Sequence, residues 1–146
     1  MIDKVIELIT GKDDLERIAC TGNLKKFTNY LQKRTIWIPQ LPVRFLDPDS
    51  LTQQQLLEAI QKDCEELASA TQFTPWVLER DGKKRLLVFS NKKRLGKFAG
   101  VISKEMNKVF GLQCVEILLM DVLRHNDVDD IDLNWGSPNG MRIKVK

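Results

Sequence analysis

Few residues in this chain have the types and spacing that enzymatic chemistry requires. The sequence holds one histidine, His125, and three widely spaced cysteines, Cys20, Cys64 and Cys114. A thiol nucleophile needs an activating base nearby. Cys64 and Cys114 lie in apolar patterns typical of inert, buried cysteines, and Cys20 is the least buried candidate. Odd, dispersed cysteines argue against a disulfide framework and for a reducing cytoplasm, so we expect no catalytic cysteine.

Metal and phosphate sites have equally weak signals. The acidic string from Asp127 to Asp132 begins like a calcium loop. It carries Asp132 where that loop needs glycine and Pro138 where it needs the bidentate glutamate. Zinc-binding spacings and glycine-rich phosphate loops are also missing from the sequence. The sequence therefore predicts no metal, no cofactor and no catalytic residue.

A basic run is the strongest charge feature of the chain. Between Gly82 and Lys104 there are eight basic residues and no acidic one. Three of them, Lys92 to Arg94, fall where a strand meets a helix that starts near Asn91, and such a helix end also offers free backbone donors. The run thus indicates a candidate anion or nucleic-acid face over Lys83–Lys97, and the residues proposed to bind are Arg85, Lys92, Lys93, Arg94 and Lys97. A purely solvated surface is the favoured interpretation, because RNA-binding aromatic signatures are missing.

A second candidate surface lies near the carboxyl end of the sequence. Trp135 precedes the turn-rich segment 136–140, which includes Ser137 and Asn139. A tryptophan at the end of a strand either packs in the core or anchors a protein interface. Both alternatives stay open for Trp135. The acidic residues between Val115 and this tryptophan could also complement the basic run.

Hydrophobic periodicity predicts the elements that carry these residues. Asp81-Gly82 between two apolar runs predicts a hairpin over 76–89. An apolar stripe from Leu95 to Phe110 predicts a helix that ends at Gly111, and Gly96 and Gly100 within it are interpreted as sites of close packing. Alternating residues predict a pair of strands over 130–145.

The composition bounds the architecture. A chain of 146 residues with 42% hydrophobic and 29% charged residues is typical of one globular domain. We expect a single α+β domain over 1–146, with a helical segment over 1–32 and an α+β core over 35–146, in which helices pack on a mixed or antiparallel sheet. No apolar run approaches the roughly 20 residues of a membrane span, and no secretory signal is recognised, so a cytoplasmic location is expected.

Three stretches resemble the N-terminal domain of the SseB family (enhanced serine sensitivity protein B). They are Thr35-Ile36-Trp37-Ile38-Pro39, Arg85-Leu86-Leu87-Val88-Phe89-Ser90-Asn91 with Leu95, and Ile131-Asp132-Leu133-Asn134. The family pattern closes its late strand with Asn-Pro, whereas Trp135 stands in place of that proline here. The resemblance implies a small bacterial cytoplasmic α+β domain, and it brings no catalytic residues.

We therefore expect a non-enzymatic bacterial domain that binds another protein. The surface around Trp135–Asn139 is the first candidate for this role, and the basic face over Lys83–Lys97 is the second. Anion or nucleic-acid binding through the basic face is the alternative function. No membrane partner is expected.

Overall fold

The computed structural model describes residues 12–20, 24–31 and 34–146. Within these ranges it has helices α1 (Asp14–Ala19), α2 (Leu24–Tyr30), α3 (Gln53–Ala68), α4 (Lys92–Met106) and α5 (Leu119–His125). Its strands are β1 (Ile36–Pro39), β2 (Val77–Arg80), β3 (Lys83–Val88), β4 (Cys114–Ile117), β5 (Asp130–Leu133) and β6 (Met141–Lys144). The chain thus combines helices with one mixed and one antiparallel sheet, and the predicted α+β class is confirmed.

The main sheet has the order β2-β3-β5-β6. Both outer pairs are antiparallel hairpins, as predicted, and the central pair is parallel, with Arg85 opposite Asp130 and Val88 opposite Leu133. Parallel strands need a long crossover. Here the chain passes through α4, β4 and α5 between β3 and β5. The carboxyl ends of β3 and β5 therefore meet at one edge of the sheet.

The tight turn of the first hairpin follows from its residue types. Asp81 has a φ of 56° and Gly82 a φ of 73°. Two consecutive residues with positive φ match the twist of the flanking strands, and Asp-Gly is among the pairs that adopt this conformation most readily. The two residues thereby set the register that places Val77 opposite Leu86.

Side-chain alternation along β3 divides the core between the two faces of the sheet. Leu86 and Val88 join a cluster with α1, α2 and α5, whereas Leu87 and Phe89 pack against α4. Trp37 of β1 exchanges two backbone hydrogen bonds of 2.8 Å with Phe89, which ties the β1–β4 pair to the main sheet. Helix α4 is therefore fixed across one face of the sheet.

Two predictions about α4 were wrong. The helix ends at Met106 rather than at Gly111, because Asn107 adopts the left-handed conformation, with a φ of 52°, that stops a helix. Val109 then pairs with Leu46 as an isolated bridge. Gly96 and Gly100 do not permit close packing, since a Cβ atom at either position would meet nothing within 4 Å.

Some sequence predictions lie outside the described residues. Within the predicted 1–32 helical segment, residues 1–11, 21–23 and 32 are not described. The described part of this segment contains α1 and α2. Among the helices described, none combines the length and the hydropathy that crossing a bilayer requires.

We predict opposite stability effects for alanine at two glycines. Gly82→Ala should lower the free energy of unfolding by about 1–2 kcal/mol, because an L-residue is strained at this φ. Gly96→Ala should raise it by about 0.5–1 kcal/mol, because alanine favours a helix and its methyl group meets open space. Urea denaturation of both variants measures this difference, and destabilisation by Gly96→Ala would contradict the open face of α4.

Candidate binding site on helix α4 and the neighbouring turn

The amino-terminal end of α4 has an unusual charge pattern. Asn91 caps the helix, as predicted, and its Oδ1 accepts a 2.9 Å hydrogen bond from the Arg94 backbone N–H. The first turn carries no acidic residue and instead holds Lys92, Lys93 and Arg94. Cations at this end oppose the helix dipole. Each of these charges therefore needs an explanation in its own contacts.

Arg85 is not part of an exposed basic face, so that prediction was wrong for this residue. It is 8% exposed, and its Nε lies 3.4 Å from Asp130 Oδ2 in the adjacent parallel strand. Burial of a guanidinium requires such a partner. The predicted complementarity between the basic run and the acidic stretch is thus realised inside the sheet by this pair.

Arg94 is also withdrawn from the surface. Its side chain is 13% exposed, its Nη2 donates to Glu16 Oε1 over 2.9 Å, and its Nε lies 3.7 Å from Asp13 Oδ2. Both acids belong to a capping box at the start of α1, in which Asp13 and Glu16 cap each other's backbone N–H. The three-residue spacing of Asp13 and Glu16 is the sequence signal of a capping box, and it could have identified both residues before the structure was known. Arg94 thereby fastens α1 to α4.

A polar network extends this contact to the carboxyl edge of the sheet. The Ser90 hydroxyl donates to Asp13 Oδ2, and Asn134 Nδ2 donates to Ser90 Oγ over 2.9 Å. Asn134 also accepts from the Ser90 backbone N–H at 3.0 Å and donates its own N–H to the Val88 carbonyl at 2.8 Å. These bonds hold the end of β5 beside the start of α4.

Lys92 has a partner as well. Its Nζ lies 5.0 Å from the centroid of the Trp37 ring, within the range of a cation–π contact. This contact explains the position of Lys92 without an external ligand. The lysine also covers one face of the Trp37 ring.

Lys93 and Lys97 differ from Lys92 and Arg94. Both are exposed, and within the described part of the chain neither has an ion pair, a hydrogen bond or a ring contact. They line a groove of about 370 Å³, and the other described residues in its wall are Arg94, Ser137 and Pro138. Like charges four residues apart destabilise a helix slightly. Among the described residues that line the groove, these two lysines are therefore the cations that stay available to a ligand.

The 134–140 turn forms the opposite wall of this groove. Gly136 has a φ of 89°, and a Cβ atom there would lie 3.4 Å from Val101 Cβ of α4, so the turn packs closely on the helix. Ser137 lines the groove, and its Oγ is buried with no hydrogen-bond partner among the described residues. Asn139 is half-buried in the same turn. The two surfaces that the sequence indicates separately are thus neighbours.

Trp135 packs mainly inside the protein. Its ring makes an edge contact with the Phe98 ring, and the two ring centroids lie 5.6 Å apart. The Arg80 guanidinium carbon lies over the Trp135 ring, 5.5 Å from its centroid. The residue is half-buried and borders the second core cluster. The sequence left open whether Trp135 packs in the core or anchors an interface. Core packing accounts for most of its contacts.

The other chemistry-bearing residues are dispersed. His125 is exposed, and its Nδ1 lies 2.8 Å from the Asp121 carbonyl oxygen one turn earlier. Burial raises the pKa of the Cys114 thiol, which disfavours the reactive thiolate. Within residues 12–20, 24–31 and 34–146, no three histidine, cysteine or acidic side chains are grouped so that they could hold a metal ion.

Comparisons with known proteins add no further assignment. Neither a family model, nor a curated protein, nor a solved structure matches this chain. The resemblance to the SseB family stays a prediction from the sequence.

We predict that Arg94→Ala destabilises the fold strongly. The substitution leaves the largely buried Asp13 and Glu16 carboxylates without their cation, which should lower the free energy of unfolding by about 3 kcal/mol. Arg124→Ala is the matched control, because its pair with Asp121 is exposed on both sides and should contribute about 1 kcal/mol or less. Urea denaturation of both variants tests this difference, and equal losses would contradict it.

We further predict an acid-sensitive contribution from Asp129. The Lys84 backbone N–H donates to its Oδ2 over 2.9 Å and, with weaker help from Lys146 and Lys83, holds the pKa of this carboxyl below its usual range. Because the pKa of Asp129 is lower in the folded state than its unfolded-state value of about 3.9, this carboxylate stabilises the protein at pH values above that unfolded-state pKa. The stabilisation is lost as the pH falls through the folded-state pKa. Carboxyl NMR titration measures the pKa directly. Asp129→Asn should flatten the acidic limb of stability against pH, and an unshifted titration would refute this.

Proposed function

We propose that this chain is a non-enzymatic domain that binds another protein through the α4–turn surface. We define this surface as Lys93, Lys97, Ser137 and Pro138. The observation that carries the proposal is the single groove in which the basic helix and the 134–140 turn meet. We also propose, from the resemblance alone, that the protein is an SseB-like bacterial domain of the cytoplasm.

The position of the groove in the fold supports this proposal. It lies beyond the carboxyl ends of the parallel strands β3 and β5, where the chain leaves β3 for α4 and leaves β5 for the turn. Ligands of open sheets with parallel strands commonly bind at this edge, because loops from neighbouring strands converge there on a rigid support. The hydrogen bonds between Ser90 and Asn134 provide that rigidity here.

The contacts of the buried acids support a non-catalytic role. Asp63 accepts from Arg44 over 2.9 Å, Asp132 accepts from Arg142 over 3.0 Å, and Asp130 faces Arg85. Ion pairs of this kind account for buried carboxylates as parts of the fold. Arg85 and Arg94 are themselves engaged in such pairs, which weakens the alternative of an extended nucleic-acid face.

Site-specific cross-linking in the cell of origin tests the proposal. A photoreactive amino acid at the exposed Gly96 position, which lies between Lys93 and Lys97 on α4, should give adducts that are degraded by protease but not by nuclease. The same amino acid at the exposed Gln61 of α3 should not give these adducts.

Charge reversal supplies the specificity control. Lys93→Glu with Lys97→Glu should abolish the Gly96 adducts, whereas Lys25→Glu with Lys62→Glu changes the net charge equally on other helices and should preserve them. Absence of any protein adduct at the Gly96 position, or adducts that nuclease removes, would refute protein binding at this surface.

A further inference from the structure

We infer that the partner segment received by the α4–turn surface is a short acidic peptide segment with two carboxylates placed to meet Lys93 and Lys97. This inference rests on the proposed function and specifies its ligand. It starts from two observations on the described part of the chain: Lys93 and Lys97 have no internal partners there, and none of the described residues that line the groove is acidic.

The electrostatics of α4 favour a negative ligand at this place. Lys93 lies in the first turn, where the helix dipole is positive, and Lys97 follows one turn later on the same side. The other cations near the helix start are each balanced, Arg94 by Glu16 and Lys92 by the Trp37 ring. A carboxylate beside Lys93 and Lys97 would relieve the unfavourable field that these charges create.

The dimensions of the groove indicate a small number of contacts. Side chains four residues apart on a helix have Cβ atoms about 5–6 Å apart. Two acidic side chains one helical turn apart, or two positions apart in an extended strand, span a similar distance. Ser137 lines the groove as well, although its Oγ is buried. The Pro138 ring and the lysine stems offer apolar contact to the peptide.

The same contacts disfavour a nucleic acid as the ligand. Binding to nucleic acid commonly neutralises several phosphates and stacks bases on free aromatic rings. Among the described residues that line the groove, Lys93 and Lys97 are the cations without internal partners, and none of these residues is aromatic. The Trp37 ring is covered by Lys92, and the Trp135 ring lies between Phe98 and Arg80. A short acidic peptide requires neither a long cationic track nor a stacking platform.

Fluorescence anisotropy with three labelled probes tests the inference. The probes are an octaglutamate peptide, an octaglutamine peptide of equal length and an octathymidylate of similar charge. At about 0.02 M salt, where charges are weakly screened, octaglutamate should bind and octaglutamine should not. Raising the salt to about 0.15 M should weaken the binding markedly.

Matched variants locate the binding. Lys93→Ala with Lys97→Ala should weaken octaglutamate binding about tenfold, since two partly exposed ion pairs are lost. Lys25→Ala with Lys62→Ala should leave the affinity within about twofold. Both lysines of the first pair are exposed on α4, and a thermal melt verifies that the variant folds. Amide shifts of the unmodified protein on adding octaglutamate should also concentrate at residues 92–98 and at Gly136, Ser137 and Asn139.

Three results would overturn the inference. They are no octaglutamate binding at low salt, equal weakening by both lysine pairs, and tighter binding of octathymidylate that depends on Lys93 and Lys97. Protein adducts at the Gly96 position without octaglutamate binding would leave the proposed function standing and remove its acidic ligand. Octaglutamate binding without any protein adduct in the cell would remove the proposed protein partner instead.

Discussion

The parallel pairing of β3 with β5 is the constraint on which the rest of this structure depends. Because the two strands run in the same direction, the chain must cross the sheet between them, and α4 lies across the face that this crossover covers. The pairing also brings the exits of both strands to one edge. The start of α4 and the 134–140 turn then pack together, as the close approach of Gly136 to Val101 demonstrates.

Buried charge pairs reinforce this arrangement. The register of β3 and β5 sets Arg85 beside Asp130, and the capping box of α1 presents Asp13 and Glu16 to Arg94. Pairs of this kind add little net stability compared with apolar packing, but removing one partner is strongly unfavourable. They therefore make a shift of either element difficult. Lys93 and Lys97 lie outside these pairs and line the groove.

Local signals predicted much of the fold because the energies behind them are local. The positive φ of Asp81 and Gly82 is a property of two residues, and it led directly to the first hairpin. The sequence predicted that α4 starts near Asn91, which lies between the apolar strand and the amphipathic stripe of the helix. The end of α4 was misplaced because Asn107 interrupts the helix before the apolar stripe runs out, and Val109 pairs with Leu46, which is far away in the sequence.

The amino-acid sequence alone determined the class of the fold, the two hairpins and the concentration of positive charge around α4, since periodicity, turn residues and charge are all readable over short stretches. Only the tertiary structure decided which charges remain available. Arg85 and Arg94 look like Lys93 and Lys97 in the sequence, yet the first two are largely withdrawn from solvent and paired with acids 45 and 78 residues away. Such contacts depend on strand order and helix placement, which no short window of sequence contains.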